Sequence, residues 1–341
     1  MRNKHNPYAG SRALSTRRQV VRGFGALLGG VVTGCGEAGH SWPPAVGGAA
    51  AGTANAGLGG AGAGAGVGGA GAGPGGGAGL GGSAGSGRVH KTAADRVTLG
   101  MTGIEISRLA LGSGTHGSGG SSDQTRLGSS FSNVLTYGYS QGLTLFETAD
   151  SYGAHRLVAE AIRQVGRQNV TVLTKTTSET AEGVQADLDR FRRELGVDVI
   201  DIVLLHNKQS ASWTTECEGA MEALDRAKQS GAIRAHGVSC HTLQALELAA
   251  ATPWVDVDLA RINPAGVAMD ADPATVISVL TRMKAAGKGV IGMKILGEGR
   301  LAAQLDMAIG HAVGLDCIDA FTIGFTSTTQ LDQVAQKIAT V

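Results

Sequence analysis

From residue 107 to the C-terminus, this chain repeats one pattern that narrows its possible folds to very few. Eight short apolar or β-branched runs recur: Ser107–Leu111, Leu143–Phe146, Val170–Thr174, Val199–Leu205, Ala232–Val238, Val257–Ile262, Gly289–Met293 and Ala320–Ile323. Between them lie stretches with helical spacing. In Asp187–Leu195 the apolar residues Leu188, Phe191 and Leu195 fall at i, i+3 and i+7. Met221–Lys228 is a second such stretch, and Ser230-Gly231 ends it as a C-cap. Asp272-Pro273 opens a third, with aspartate as N-cap and proline in the first helical position. Strand–helix alternation predicts a parallel sheet covered by helices. Eight such units in about 250 residues predict closure into a (β/α)8, or TIM, barrel. No GxGxxG follows the first strand, which argues against an open dinucleotide-binding sheet. Ahead of the units, RVTLGMTGIEIS reads as a β-hairpin that would plug one end of the barrel.

The pattern sets a domain boundary near residue 88. Glycine makes up 55 of 341 residues, so it must be concentrated somewhere, and residues 36–87 are mostly Gly, Ala and Ser. That stretch has nothing large to bury, so the entropy of ordering it cannot be offset. It is expected to be a flexible tether. Residues 1–35 read as an address. Arg17-Arg18 and a short apolar stretch, Phe24–Val32, resemble a twin-arginine export signal, and Val32-Thr33-Gly34-Cys35 resembles a bacterial lipobox. The apolar stretch is too short to span a bilayer and suits a signal-peptide core. The expectation is an exported lipoprotein anchored through Cys35, periplasmic or attached to the outer membrane.

A net charge of +1 gives no reason to expect nucleic acid or another polyanion as partner. Cys35, Cys217, Cys240 and Cys317 form no metal-binding spacing, so mostly free thiols and no metal site are expected.

Within the barrel segment, ionisable groups gather where apolar runs stop. LTLFE ends on Glu147, and Tyr152 follows in the next loop. NVTVLTK ends on Lys175, and DVIDIVLLH ends on His206. The ends of parallel barrel strands share one rim, so these four side chains are expected to meet. A phenol with a pKa near 10 needs roughly 4 kcal/mol of preferential phenolate stabilisation to titrate near neutrality. A nearby ammonium could supply much of that, with a carboxylate holding the ammonium in place. His206 could donate a hydrogen bond to a developing oxyanion.

Residues 96–341 resemble the aldo-keto reductases, through LGMTGIEISRLALG, LFETADSYG, VLTKT, VDVIDIVLLH, GAIRAHGVSC, GVIGMKILGEG and IGFTSTTQLDQV in order. The resemblance implies a barrel that binds a nicotinamide dinucleotide, NADP ahead of NAD, and interconverts small carbonyl compounds and alcohols. It places the family's catalytic tyrosine, lysine and histidine on Tyr152, Lys175 and His206. The family's aspartate falls on Glu147, one methylene longer, which should require a different rotamer or a backbone shift. Ser239 and Cys240 stand where the family holds the nicotinamide carboxamide with Ser-Asn. Asp258 or Leu259 replaces its glutamine. Lys294 and Gly297 lie where backbone amides would meet the pyrophosphate, the alternative for Lys294 being an exposed lysine. Gly324, Thr326, Ser327 and Gln330 match positions around the adenosine phosphate, though Thr326-Ser327 could serve only as a helix cap. No basic residue stands there to grip a 2′-phosphate. A monomer is the expected state. A dinucleotide-binding module with little or no catalysis is the alternative.

Overall fold

The computed structural model describes residues 90–341. The leader, Cys35 and the Gly/Ala-rich stretch lie outside the described residues. A two-stranded antiparallel hairpin, β1 (Arg96–Thr98) and β2 (Glu105–Ser107), precedes the barrel. Eight parallel strands then close on one another: β3 (Leu109–Gly112), β4 (Leu145–Glu147), β5 (Thr171–Thr176), β6 (Ile200–Lys208), β7 (Ile233–Cys240), β8 (Val257–Arg261), β9 (Gly289–Met293) and β10 (Ala320–Gly324), with β10 pairing β3. The connections carry α1 (Ser129–Ser140), α2 (His155–Val165), α3 (Ala181–Leu195), the short α4 (Trp213–Glu216), α5 (Glu218–Gln229), α6 (Leu243–Ala251), α7 (Pro273–Ala285), α8 (Leu305–Gly314) and α9 (Thr328–Thr340). The (β/α)8 barrel and its hairpin are therefore as the sequence predicts. Boundaries move: the first predicted strand, Ser107–Leu111, is shared between the end of β2 and the start of β3, and β5, β6 and β7 run on past the predicted ends at Thr174, Leu205 and Val238.

Strand parity divides the apolar residues into two cores, because successive side chains point to opposite faces. Ala110, Leu145, Leu173, Ile202, Leu204, Ala235, Val257, Leu259, Ile291 and Ala320 fill the barrel interior. Leu99, Ile104 and Ile106 of the hairpin join that cluster and close the N-terminal end. The hairpin turn seats closely: a Cβ on Gly100 would lie 2.3 Å from the Gly289 nitrogen, and its φ is +50°. The alternate residues, among them Phe146, Val172, Val203 and Val238, pack outward against the helices in the larger cluster.

The helix ends carry the chemistry expected of them. Asp272 accepts from the Thr275 amide at the start of α7, with Pro273 in the first turn. Thr180 accepts from the Gly183 amide at the start of α3, and Gly196 ends that helix at φ +68°. Cys217, Cys240 and Cys317 are free and buried. Among the described residues no helix is long and apolar enough to cross a membrane.

Candidate active site

The interior face of each strand, followed upward, ends on the rim. On β4 the interior position after Leu145 is Glu147. On β5 it is Lys175, on β6 His206, on β7 Ser239, on β8 Arg261 and on β10 Thr322. One alternation thus lays an apolar floor and delivers polar groups to the C-terminal mouth.

Lys175 is fully buried. Its ammonium donates to Glu147 Oε1, to the Thr148 carbonyl at 2.9 Å and to the Tyr152 hydroxyl at 3.4 Å. The longer glutamate fits because its second oxygen turns toward β3 and β10. There Thr322 Oγ1 donates to Glu147 Oε2 at 3.3 Å. Gly112 leaves the necessary room, since a Cβ on it would lie 2.8 Å from Thr322 Oγ1 and 3.0 Å from Glu147 Oε2. Burial works against the Lys175 charge, but Glu147 and then Tyr152 outweigh it and hold the amine above its ordinary range.

Tyr152 sits in a one-turn 3-10 segment, Asp150–Tyr152, which Gly153 ends at φ +68°. Glycines from the loop after β3 pack on its ring. A Cβ on Gly114 would be 2.2 Å from Tyr152 Cε2, and one on Gly117 would be 2.4 Å from Cδ1. The loop is tied to this segment by the Gly120 amide, which donates to the Ser151 carbonyl at 2.8 Å. The acidity of the phenol departs from the sequence argument. Burial pushes it up, Lys175 pulls it down and Glu147 raises it again, and the net direction is upward. Burial is the largest of the three effects, and the pull of Lys175 does not overcome it.

His206 meets the Tyr152 ring edge-on at 5.6 Å between centroids. Its Nδ1 lies 3.4 Å from Ser151 Oγ. Burial, followed by Lys175 and other nearby cations, lowers its pKa to about 2, so the ring is neutral. Just beyond it the register shifts, and Asn207 adopts φ +56°. That irregularity brings the Asn207 amide to Ser239, whose hydroxyl accepts from it at 3.1 Å. The Ser239 proton is left for an acceptor in the mouth.

The other expected cofactor contacts divide. Cys240 needs correcting: one residue beyond Ser239, it has opposite parity, and its thiol is fully buried in the outer layer. At the glutamine position, Leu259 faces the interior while Asp258 points outward. Lys294 adopts φ +60° and pairs with Glu298 at 2.6 Å, and Gly297 follows at φ +54°. Ser327 caps α9 by accepting from the Gln330 amide at 3.3 Å. The Gln330 side chain returns to accept from the Thr326 amide at 2.9 Å. Gly324 permits a close approach, since a Cβ on it would meet Thr115 Oγ1 at 2.2 Å. The first turn of α9 has no acidic residue, which suits a phosphate at a helix N-terminus. Ser239 and the start of α9 follow β7 and β10, three strands apart in the barrel order. Nothing basic lies within residues 324–330 for a 2′-phosphate, and Phe325 there is buried. Arg261 is engaged by Asp270, with Nε donating at 3.1 Å.

Sequence reasoning missed several contributors. Thr322 and Gly112 carried no signal, and Gly114 and Gly117 only a faint one, a glycine-rich SGTHGSGG stretch after the first strand. Clefts of about 510 and 380 Å³ open at the N-terminal end of the barrel, beside Met101, Lys288 and Arg234 in one case and Arg96, Arg167 and Arg234 in the other. None of Glu147, Tyr152, Lys175 and His206 lines them.

Comparison with known proteins agrees with this geometry. The profile of the aldo/keto reductase family matches residues 108–335. "Probable aldo-keto reductase 1" of Glycine max is 28% identical over 158 residues, 42% of this chain and 44% of that protein. L-galactose dehydrogenase of Arabidopsis thaliana is 25% identical over 232 residues, 60% of this chain and 66% of that protein. The chain thus spans less than two thirds of either relative. A solved aldo-keto reductase from Bacillus halodurans, in its holo form, superimposes with a TM-score of 0.57 at 16% identity, covering 72% of this chain and 90% of that one. At that identity the likeness speaks for the fold alone. The match over more than half of the sequence, on a closed eight-stranded barrel, places this chain in the aldo/keto reductase family.

Proposed function

We propose that this protein transfers a hydride between a nicotinamide dinucleotide, NADPH ahead of NADH, and a small aldehyde or ketone, or the corresponding alcohol in reverse. The observation that carries this reading is the Tyr152 hydroxyl 3.4 Å from an ammonium that is fully buried and paired with Glu147. When bound, the nicotinamide would supply or accept the hydride. The rest falls to the chain's own residues. Tyr152, kept protonated by burial, is the proton donor to the carbonyl oxygen. Lys175 stabilises the phenolate left behind, and Glu147 keeps Lys175 charged and in place. Neutral His206 offers a ring N–H to the same oxygen and orients it without adding charge. Ser239 would hold the carboxamide, and the amides at Lys294 and the start of α9 would hold the phosphates; the Gly297 amide, expected to join them, is instead spent on the Lys294 carbonyl at 2.8 Å.

The second reading, a dinucleotide-binding module without turnover, draws on Leu259 and the buried Cys240, which remove two polar contacts the family uses. One experiment separates the two. The purified full chain is titrated with NADPH and NADH by fluorescence, then assayed with a reactive aromatic aldehyde alongside Tyr152→Phe. Turnover lost in the variant supports the reductase. Binding without Tyr152-dependent turnover supports the module, and absence of binding sinks both. With no cation at residues 324–330, NADPH should bind less than about tenfold more tightly than NADH, since a charge-assisted bond to the extra phosphate would give more.

We also propose that residues 1–35 export the protein through the twin-arginine route and that Cys35 carries a lipid. A reporter fused to residues 1–40 should be exported, and Arg17→Lys with Arg18→Lys should stop it. Continued export of the double variant refutes that route.

A further inference from the structure

Lys175 and Tyr152 come from different elements, and 3.4 Å between their polar atoms is near the limit of a hydrogen bond. Something must hold the two elements in register. The residues flanking Lys175 on β5, Thr174 and Thr176, have opposite parity and face the helices. Both are bound there. Thr176 Oγ1 donates to Asp187 Oδ2 at 2.5 Å, and Ser178 Oγ donates to the same oxygen at 2.7 Å. On the other side of Lys175, Thr174 Oγ1 lies 2.8 Å from His155 Nε2, and His155 Nδ1 lies 2.8 Å from Glu194 Oε2. Burial lowers the pKa of His155, so its neutral ring donates to Glu194 and accepts from Thr174. Asp187 and Glu194 are both on α3.

Arg190 lies between them on the same helix. Its guanidinium grips Asp150 with two bonds, Nη1 to Oδ1 at 2.6 Å and Nη2 to Oδ2 at 2.9 Å. Nη2 also donates to Asp187 Oδ1 at 2.7 Å. Asp150 opens the 3-10 turn that ends on Tyr152. Asp150, His155 and Glu194 bring ligand atoms within 4.8 Å of one another, a spacing a metal ion could use. The positive charge beside these carboxylates is Arg190's own, with Glu194 Oε1 at 3.6 Å from Nη1.

We propose that Arg190 is a positioning residue: through Asp150 on one side and Asp187–Thr176 on the other, it is a strut that sets the spacing between the Tyr152 hydroxyl and the Lys175 ammonium. The inference rests on the reductase reading for its kinetic consequence but not for its geometry. A planar fork is required, because one end must satisfy both oxygens of Asp150 while also reaching Asp187. A lysine supplies the charge but cannot span the two.

The test is Arg190→Lys in the full chain, which leaves a cation among the carboxylates so that the helix stays folded. The kcat for aldehyde reduction should fall about 10- to 100-fold, while KM and cofactor affinity change by less than about twofold. In a Lys175→Met background the same substitution should change kcat by less than about twofold, because the spacing it controls no longer exists. Equal losses in both backgrounds, or turnover of Arg190→Lys within about twofold of the native chain, overturn the proposal. Should the native chain and Tyr152→Phe prove equally inactive, the reductase reading fails, and a crystal structure of Arg190→Lys decides the strut by itself. A Tyr152 oxygen moved out of hydrogen-bond range of Lys175 Nζ supports it. An unchanged 3.4 Å spacing refutes it.

Discussion

Replacing Lys175 by methionine should separate the structural role of the buried ion pair from its chemical role. The lysine is fully buried, and Glu147 is only 5% exposed. Methionine matches the length of the stem but leaves the Glu147 carboxylate with Thr322 at 3.3 Å as its remaining side-chain donor. Breaking a buried pair on one side costs about 3–5 kcal/mol, because an uncompensated charge stays behind. In a domain of this size each kcal/mol moves the melting temperature by about 2–4 °C, so a fall of roughly 6–20 °C is expected. The loss should shrink as pH drops toward 5, since an isolated buried carboxylate takes up a proton readily.

Adding Glu147→Gln to Lys175→Met removes the stranded charge while keeping its shape. Stability should return to within about 1 kcal/mol of the native chain, as neutral replacements of buried pairs often do. Turnover should not return. Without the ammonium, nothing stabilises the Tyr152 phenolate, and both variants should sit about 10²- to 10⁴-fold below the native rate. Thermal unfolding at pH 5 and 8 and aldehyde reduction by all three proteins make the comparison. A single variant as stable as the native chain would mean that the pair carries no weight in the fold. A double variant with restored turnover would mean that Lys175 is not needed for proton transfer, and the assignment of Tyr152 would fall with it.

Three other outcomes follow from the same coordinates. Tyr152 is pushed above its ordinary range by burial and His206 is lowered to about 2, so both keep one protonation state from pH 5 to 9; kcat for reduction should be level across that window, and a sigmoidal fall inside it would contradict the assignment. Gly114→Ala would place a methyl 2.2 Å from Tyr152 Cε2 and force the ring to move, lowering kcat about 10- to 100-fold; an unchanged rate would show that the loop yields instead. Asp258 is fully buried, neither oxygen has a hydrogen-bond partner, and burial followed by Asp270 raises its pKa well above the usual value. The folded state then holds a proton that the unfolded state releases above about pH 4, so stability should decline with rising pH, by up to about 1.4 kcal/mol per unit, until the folded pKa is passed. Asp258→Asn should remove that slope in urea titrations and stabilise the protein at neutral pH; an unaltered slope would assign it to other groups.

The parts of this molecule that were legible in the sequence are those governed by short-range periodicity. Glu147, Lys175 and His206 could be expected on one rim before any coordinates because each ends an apolar run, and the ends of parallel barrel strands lie together. Strand parity, which the analogy with Ser-Asn does not consider, turns Cys240 to the outer face. Phenol acidity was not legible, because it depends on a balance among three charges and their burial rather than on proximity. Lys175 pulls the phenol down, but burial opposes it more strongly, and Glu147, paired with that lysine, opposes it too. Nor could the sequence reveal what accommodates the longer glutamate. Thr322 lies 175 positions away in the chain, and Gly112 matters through the side chain it lacks.

The clamp from α3 was hidden for a related reason. Asp187 and Arg190 read as the polar face of an amphipathic helix, and solvated charges of that kind usually contribute little. What distinguishes them is where the helix docks: over the outward-facing threonines on either side of Lys175 and over the turn that presents Tyr152. The outward face of a barrel strand is ordinarily apolar, as Val172 is on β5 itself. Two threonines flanking a rim lysine break that habit, and each would be a buried hydroxyl without a partner unless the adjoining helices supplied one. Polar residues at outward positions beside an inward charge therefore point to a helix that steadies the charge from behind. That cue was present in VLTKT before the fold was known.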